Sequence, residues 1–98
     1  MPGHELRLLR RALNDIAELH KHIAKEDKIV ARNVVERIDK ALIAIRNNPN
    51  IGRPTQRPPI REWSVPGLSL VIPYRVKGTR VEILRVYHTR RRRPLRWE

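Results

Sequence analysis

An α+β fold is predicted by three features of the sequence. Apolar residues recur at helical three- and four-residue steps from about residue 10 to residue 45, later apolar residues alternate at the two-residue period of strands, and Asn, Gly and Pro crowd the stretch between. The expected arrangement is a short N-terminal strand and an antiparallel helical hairpin packed on a C-terminal three-stranded antiparallel meander. The 98 residues form one domain, with a basic tail from about residue 89.

The N-terminal strand is expected at residues 5–9, where Leu6 and Leu8 alternate with Glu5 and Arg7. From about Arg10 the stripe Leu13, Ile16, Ala17, His20, Ile23 and Ala24 marks an amphipathic helix. Lys25 to Lys28 interrupt it, and Asp27 is placed to cap the next helix by accepting from its free N–H groups. A second stripe follows through Ala31, Val34, Ile38, Ala41, Leu42 and Ile45. Asn47, Asn48 and Pro49 end it, because Asn tolerates the left-handed conformation and Pro cannot continue a helix. So short a link between helices predicts a hairpin.

An irregular loop is expected over residues 48–59, then strands at 60–65, 68–76 and 79–88. Pro66-Gly67 suits the centre of a type II turn, and Lys77-Gly78 supplies the second reversal. The last strand reads as the middle of the sheet, with Val81 and Ile83 on one face and Leu84 and Val86 on the other. Pro73 lacks an N–H for the ladder, so it is expected at a bulge or on an outward-facing edge.

Composition narrows the function classes. Twenty-two basic residues against ten acidic give a formal charge of +12, which favours polyanionic partners. From Arg75 onward nine basic residues face two acidic ones, a net +7. No cysteine is present, which excludes disulfides and thiolate metal sites and fits a cytoplasmic protein. His20 and His22 diverge on a helix and do not make a metal pair. No stretch approaches the roughly 20 apolar residues that span a bilayer, and nothing in the sequence calls for a membrane, a metal or a cofactor. With no Phe, two Trp and two Tyr, the core rests on Ile, Leu, Val and Ala.

Several motifs carry a family resemblance. They are Asn48-Pro49 with Gly52-Arg53-Pro54, Arg61-Glu62, Tyr74-Arg75-Val76, and Val81-Glu82-Ile83-Leu84-Arg85-Val86 with His88. In this order, after a helical hairpin, they resemble the RelE/ParE superfamily of type II toxin–antitoxin toxins, over nearly the whole chain. The resemblance implies a growth-arresting toxin neutralised by a cognate acidic antitoxin, the two forming a hetero-oligomer. The long paired helices, Gly52-Arg53-Pro54 and the ending at His88 look ParE-like, which implies inhibition of DNA gyrase rather than catalysis. The alternative is RelE-like, metal-independent cleavage of mRNA on the ribosome, with His88 as acid and Arg61 and Arg85 holding the phosphate. Against that alternative, Val71 stands where ribonuclease branches carry an arginine, and strict alternation sends Arg85 and His88 to opposite faces. A third reading is a non-enzymatic, basic nucleic-acid-binding module.

The target-binding candidates are therefore Arg53, Arg61, Arg85, His88 and the run Arg90, Arg91, Arg92 and Arg93. Each has a plainer reading beside it: a structural histidine at a strand end, an arginine bonded to nearby carbonyls, a solvated basic tail. His20 is expected to pack, Tyr74 to fill the core, and Trp63 to fill the core or meet the antitoxin.

Overall fold

The computed structural model describes residues 4–89; the run Arg90, Arg91, Arg92 and Arg93 lies outside the described residues. The order is β1 (Glu5–Leu8), α1 (Arg10–Ala24), α2 (Lys28–Asn47), β2 (Arg53–Pro54), β3 (Arg61–Ser64), β4 (Leu70–Lys77), β5 (Arg80–Ile83) and β6 (Tyr87–His88). The sheet runs β1-β5-β4-β3-β2, with β6 also on β4. Strands β3, β4 and β5 form the antiparallel meander, and β1 lies parallel beside β5, Leu6 opposite Val81 and Leu8 opposite Ile83. No helix among the described residues is long and apolar enough to cross a membrane.

The helical hairpin covers one face. Ile38, Ala41, Leu42 and Ile45 of α2 are buried against Leu70, Ile72, Tyr74, Val81, Ile83 and Val86, and Ala31 of α2 is buried as well. Asp27 caps α2 as expected, its Oδ1 accepting from Ile29 N at 3.0 Å and Val30 N at 3.1 Å. A smaller apolar cluster of Ile60, Val71, Leu84 and Tyr87, joined by Leu9, lies on the opposite face. Gly67 has φ of 78° and Gly78 has φ of 60°, so both turns use backbone that side chains with a Cβ rarely adopt.

Five expectations need correction. The middle strand is β4, because β1 and β2 extend the meander at both ends and place β5 one strand off centre. The stretch read as wholly irregular contains β2, where Arg53 pairs with Glu62 and Pro54 with Arg61. The expected last strand, residues 79–88, breaks after Ile83. Tyr74 pairs with Ile83 but Val71 with Tyr87, so β5 and β6 together hold one residue more than the matching span of β4. The bulge carries Val86 to the helix side with Ile83, leaving Leu84 on the far side, contrary to strict alternation. Pro73 sits opposite this bulge, where the ladder loses least from its missing N–H; its carbonyl still accepts from Leu84 N at 2.9 Å.

The fifth correction is the rotation of α1. Its inward residues are Ala12, Asp15, Ile16, Leu19 and Ile23, while Leu13, Ala17 and His20 are exposed. His20 is thus not packed. The helix is turned by about one residue from its apolar stripe, with Asp15, polar and invisible to an apolar count, facing inward onto Arg85 of the segment between β5 and β6.

Candidate functional site

Two clusters hold the described candidates, one at each end of β4. Arg61 stands opposite Tyr74 and His88 opposite Leu70, four positions along the strand, which at about 3.3 Å per residue separates them by roughly 13 Å. They do not share one compact site.

At the first end, the Asn-Gly-Pro loop is bolted to the sheet. The Tyr74 hydroxyl donates to Pro49 O at 2.7 Å and accepts from Gly52 N at 2.8 Å, while Arg61 Nη1 donates to Gly52 O at 2.7 Å. A Cβ on Gly52 would lie 2.6 Å from the Tyr74 hydroxyl oxygen and 2.9 Å from Glu62 O. The position therefore requires glycine for close approach rather than for an unusual φ. Burial pushes the Tyr74 hydroxyl above its ordinary pKa, opposed by the hydrogen bond from Gly52 and the charge of Arg61. It stays protonated and keeps its donor on Pro49.

Arg53, next in the loop, has a side chain 63% exposed, with Nη2 3.3 Å from Glu62 Oε1. Glu62 itself is buried on the face away from the helices, and Tyr87 donates to its Oε2 at 3.2 Å. The loop thus presents Arg53 outward from a rigid base, while Arg61 donates the hydrogen bond that holds that base.

At the second end, Arg85 lies across α1. Its Nε donates to Asp15 Oδ2 at 2.7 Å and its Nη2 to Oδ1 at 3.1 Å, and Val86 N donates to the same carboxylate at 3.0 Å. This two-pronged pair holds the guanidinium above its ordinary pKa, chiefly through the Asp15 hydrogen bond. The same carboxylate satisfies the amide of a bulge residue.

His88, half-buried in β6, lines a cleft of about 580 Å³ with Asp15, Glu18, His22, Leu70 and Val86. The bulge puts Arg85 and His88 on the helix side of the sheet together. Glu18 and His22 were missed in the sequence. Their signal is the polar series Asp15, Glu18, His22, which recurs at helical steps of three and four and marks one stripe facing β6. Among the described residues, no group of three or more His, Asp or Glu is placed to hold a metal ion.

Comparison with known proteins puts the chain in a class of small toxin domains. The structure matches the solved "Chromosomal ParDE TA system from P. aeruginosa" with a TM-score of 0.81, covering 90% of this chain and 98% of that one. Sequence identity there is 24%, so the likeness carries the fold. The chain is also 35% identical over 94 residues to "Putative toxin Y4kP" of Sinorhizobium fredii (strain NBRC 101917 / NGR234), spanning 96% of this chain and 97% of the relative. Residues 6–93 match the family profile described as "ParE toxin of type II toxin-antitoxin system, parDE". The chain belongs to the ParE toxin family.

Proposed function

We propose that this chain arrests bacterial growth by inhibiting DNA gyrase and that an acidic cognate antitoxin in the same cytoplasm holds it inactive. The observation that carries this reading over RNA cleavage is the engagement of both clamp arginines: Arg61 holds Gly52 O and Arg85 holds Asp15. A phosphate would have to compete with a 2.7 Å contact at each. Val71 is also buried in the far-side apolar cluster, where an arginine would have to be desolvated. Arg53, His88 and the run Arg90, Arg91, Arg92 and Arg93 then supply target contacts, with Arg61 and Arg85 supporting them. Belonging to the ParE family favours gyrase as the target, and the +12 charge favours fast capture by an acidic antitoxin.

The test is pulse labelling of bacteria after induction of the chain without antitoxin, following thymidine and amino-acid incorporation separately. DNA synthesis is expected to fall first, and purified gyrase is expected to lose supercoiling activity when the chain is added. An immediate fall in translation with gyrase unaffected overturns the reading.

The cleft with Glu18, His22 and His88 favours one second reading, metal-independent cleavage of mRNA on the ribosome. A carboxylate and two imidazoles in one cleft offer a base for the 2′-hydroxyl and an acid for the leaving oxygen. On that reading translation falls first, and His88→Ala abolishes arrest while the circular dichroism spectrum is unchanged.

A further inference from the structure

A second cavity, of about 260 Å³, lies beside the strand end where Arg61 pairs with Tyr74. We propose that it binds a small aromatic monocarboxylate, a single planar ring seated against proline walls with its carboxylate toward Arg61. The proposal goes beyond the target reading above and does not depend on it.

Three observations carry it. The first is that one wall is built in advance. Thr55 N and Thr55 Oγ1 both donate to Ile60 O, at 3.2 Å and 2.8 Å, Ile60 N donates to Arg57 O at 2.9 Å, and Arg57 N donates to Thr55 Oγ1 at 3.1 Å. The turn over residues 55–60 therefore holds its shape through hydrogen bonds of its own, and Pro58 and Pro59 within it have a fixed φ. A ligand entering here meets a wall that does not have to be ordered on binding.

The second observation is the lining. Pro54, Pro58, Pro59, Ile60 and Val76 make the walls largely apolar, and no acidic residue lines the cavity. Such walls favour an apolar ring over a sugar or another hydrated group, whose polar atoms would lose water without finding partners. Volume then limits the ring count. A cavity of about 150 Å³ holds benzene, so the larger space here matches one ring with a carboxylate better than a whole nucleotide.

The third is the charge. Arg61 lines the cavity, is half-buried and makes no ion pair among the described residues. Its Nη1 donates to Gly52 O, a neutral carbonyl that leaves the positive charge uncompensated. That charge is delocalised over the guanidinium, so its attraction for an anion in the cavity does not depend on which nitrogen faces in. One guanidinium balances one carboxylate, whereas a doubly charged phosphate would be desolvated with half its charge unmet. Because Arg61 also holds Gly52 O, a carboxylate drawn to it acts on the loop that presents Arg53.

The test titrates the full, isotopically labelled chain with sodium benzoate at constant ionic strength and follows the backbone amide resonances. The expected result is a saturable, single-site response strongest at the amides of Asn50, Gly52, Thr55 and Arg61. Benzyl alcohol, which has the ring without the charge, and acetate, which has the charge without the ring, should each bind at least about tenfold more weakly. Asn50→Asp sets a like charge on the lining at an exposed position, so the chain should stay folded by its amide spectrum. In that variant benzoate affinity is expected to fall at least about tenfold while benzyl alcohol binds as before. Shifts that do not saturate, or that centre on His22 and His88, overturn the inference. So does acetate binding as tightly as benzoate, or equal benzoate affinity in wild type and Asn50→Asp, either of which reduces the response to general attraction of anions by a basic chain.

Discussion

Asp15→Ala tests the joint that holds the bulge to α1. The carboxylate accepts three hydrogen bonds, two from the Arg85 guanidinium and one from the Val86 amide. Its removal strands a charge and a backbone donor together. The Arg85 side chain is 24% exposed and that of Asp15 19%, so the pair is mostly withdrawn from water but not sealed. Breaking a fully buried pair costs about 3–5 kcal/mol, and a single hydrogen bond to a charged group is worth about 1.5–3 kcal/mol. Partial rehydration of the orphaned guanidinium places the expected loss between these, at about 2–4 kcal/mol. For a domain of this size that lowers Tm by roughly 10–25 °C. The assay is urea denaturation followed by circular dichroism, in a cycle with Arg85→Met and the double variant. Each single variant is expected to be markedly destabilised, with a coupling energy above about 1 kcal/mol. A loss below about 1 kcal/mol for Asp15→Ala, or additive effects in the double variant, would refute the claim that this pair sets the rotation of α1 and the position of the bulge.

Three further outcomes are expected. Gly52→Ala forces the Tyr74 hydroxyl or the Glu62 carbonyl to move, and a thermal melt should show a loss of at least about 2 kcal/mol, in the range of overpacked sites. Glu82 is held below the ordinary carboxylate range, first by its hydrogen bond from Arg75 at 2.9 Å. Its contribution is therefore present above the unfolded carboxylate pKa of about 4.3 and is lost as pH falls through the lower folded value; urea midpoints between pH 7 and pH 3 should show that acid limb flattened in Glu82→Gln. Arg53→Ala removes a 3.3 Å contact between a side chain 63% exposed and the buried Glu62 carboxylate, so urea denaturation should show a loss of about 1–3 kcal/mol, while growth inhibition on plates weakens.

Most of the framework is legible in the order of the residues. Helical spacing placed every buried residue of α2, the Asp27 cap was written in its neighbours, and the glycines at 67 and 78 marked turns that need positive φ. Such features are local, because a helix face, a cap or a turn is decided by residues within about one turn of chain. The positions of the functional side chains were not local. Asp15 and Arg85 are 70 residues apart, and their pairing rotated α1 and reoriented the chain after Ile83. Gly52 could be seen in its motif, but only the Tyr74 hydroxyl, 22 residues on, explains why nothing larger fits. The cleft of Glu18, His22 and His88 joins the first helix to the last strand. A polar side chain buried against a distant partner contributes nothing to an apolar period, so the tertiary structure alone decided which arginines hold the fold and which face outward.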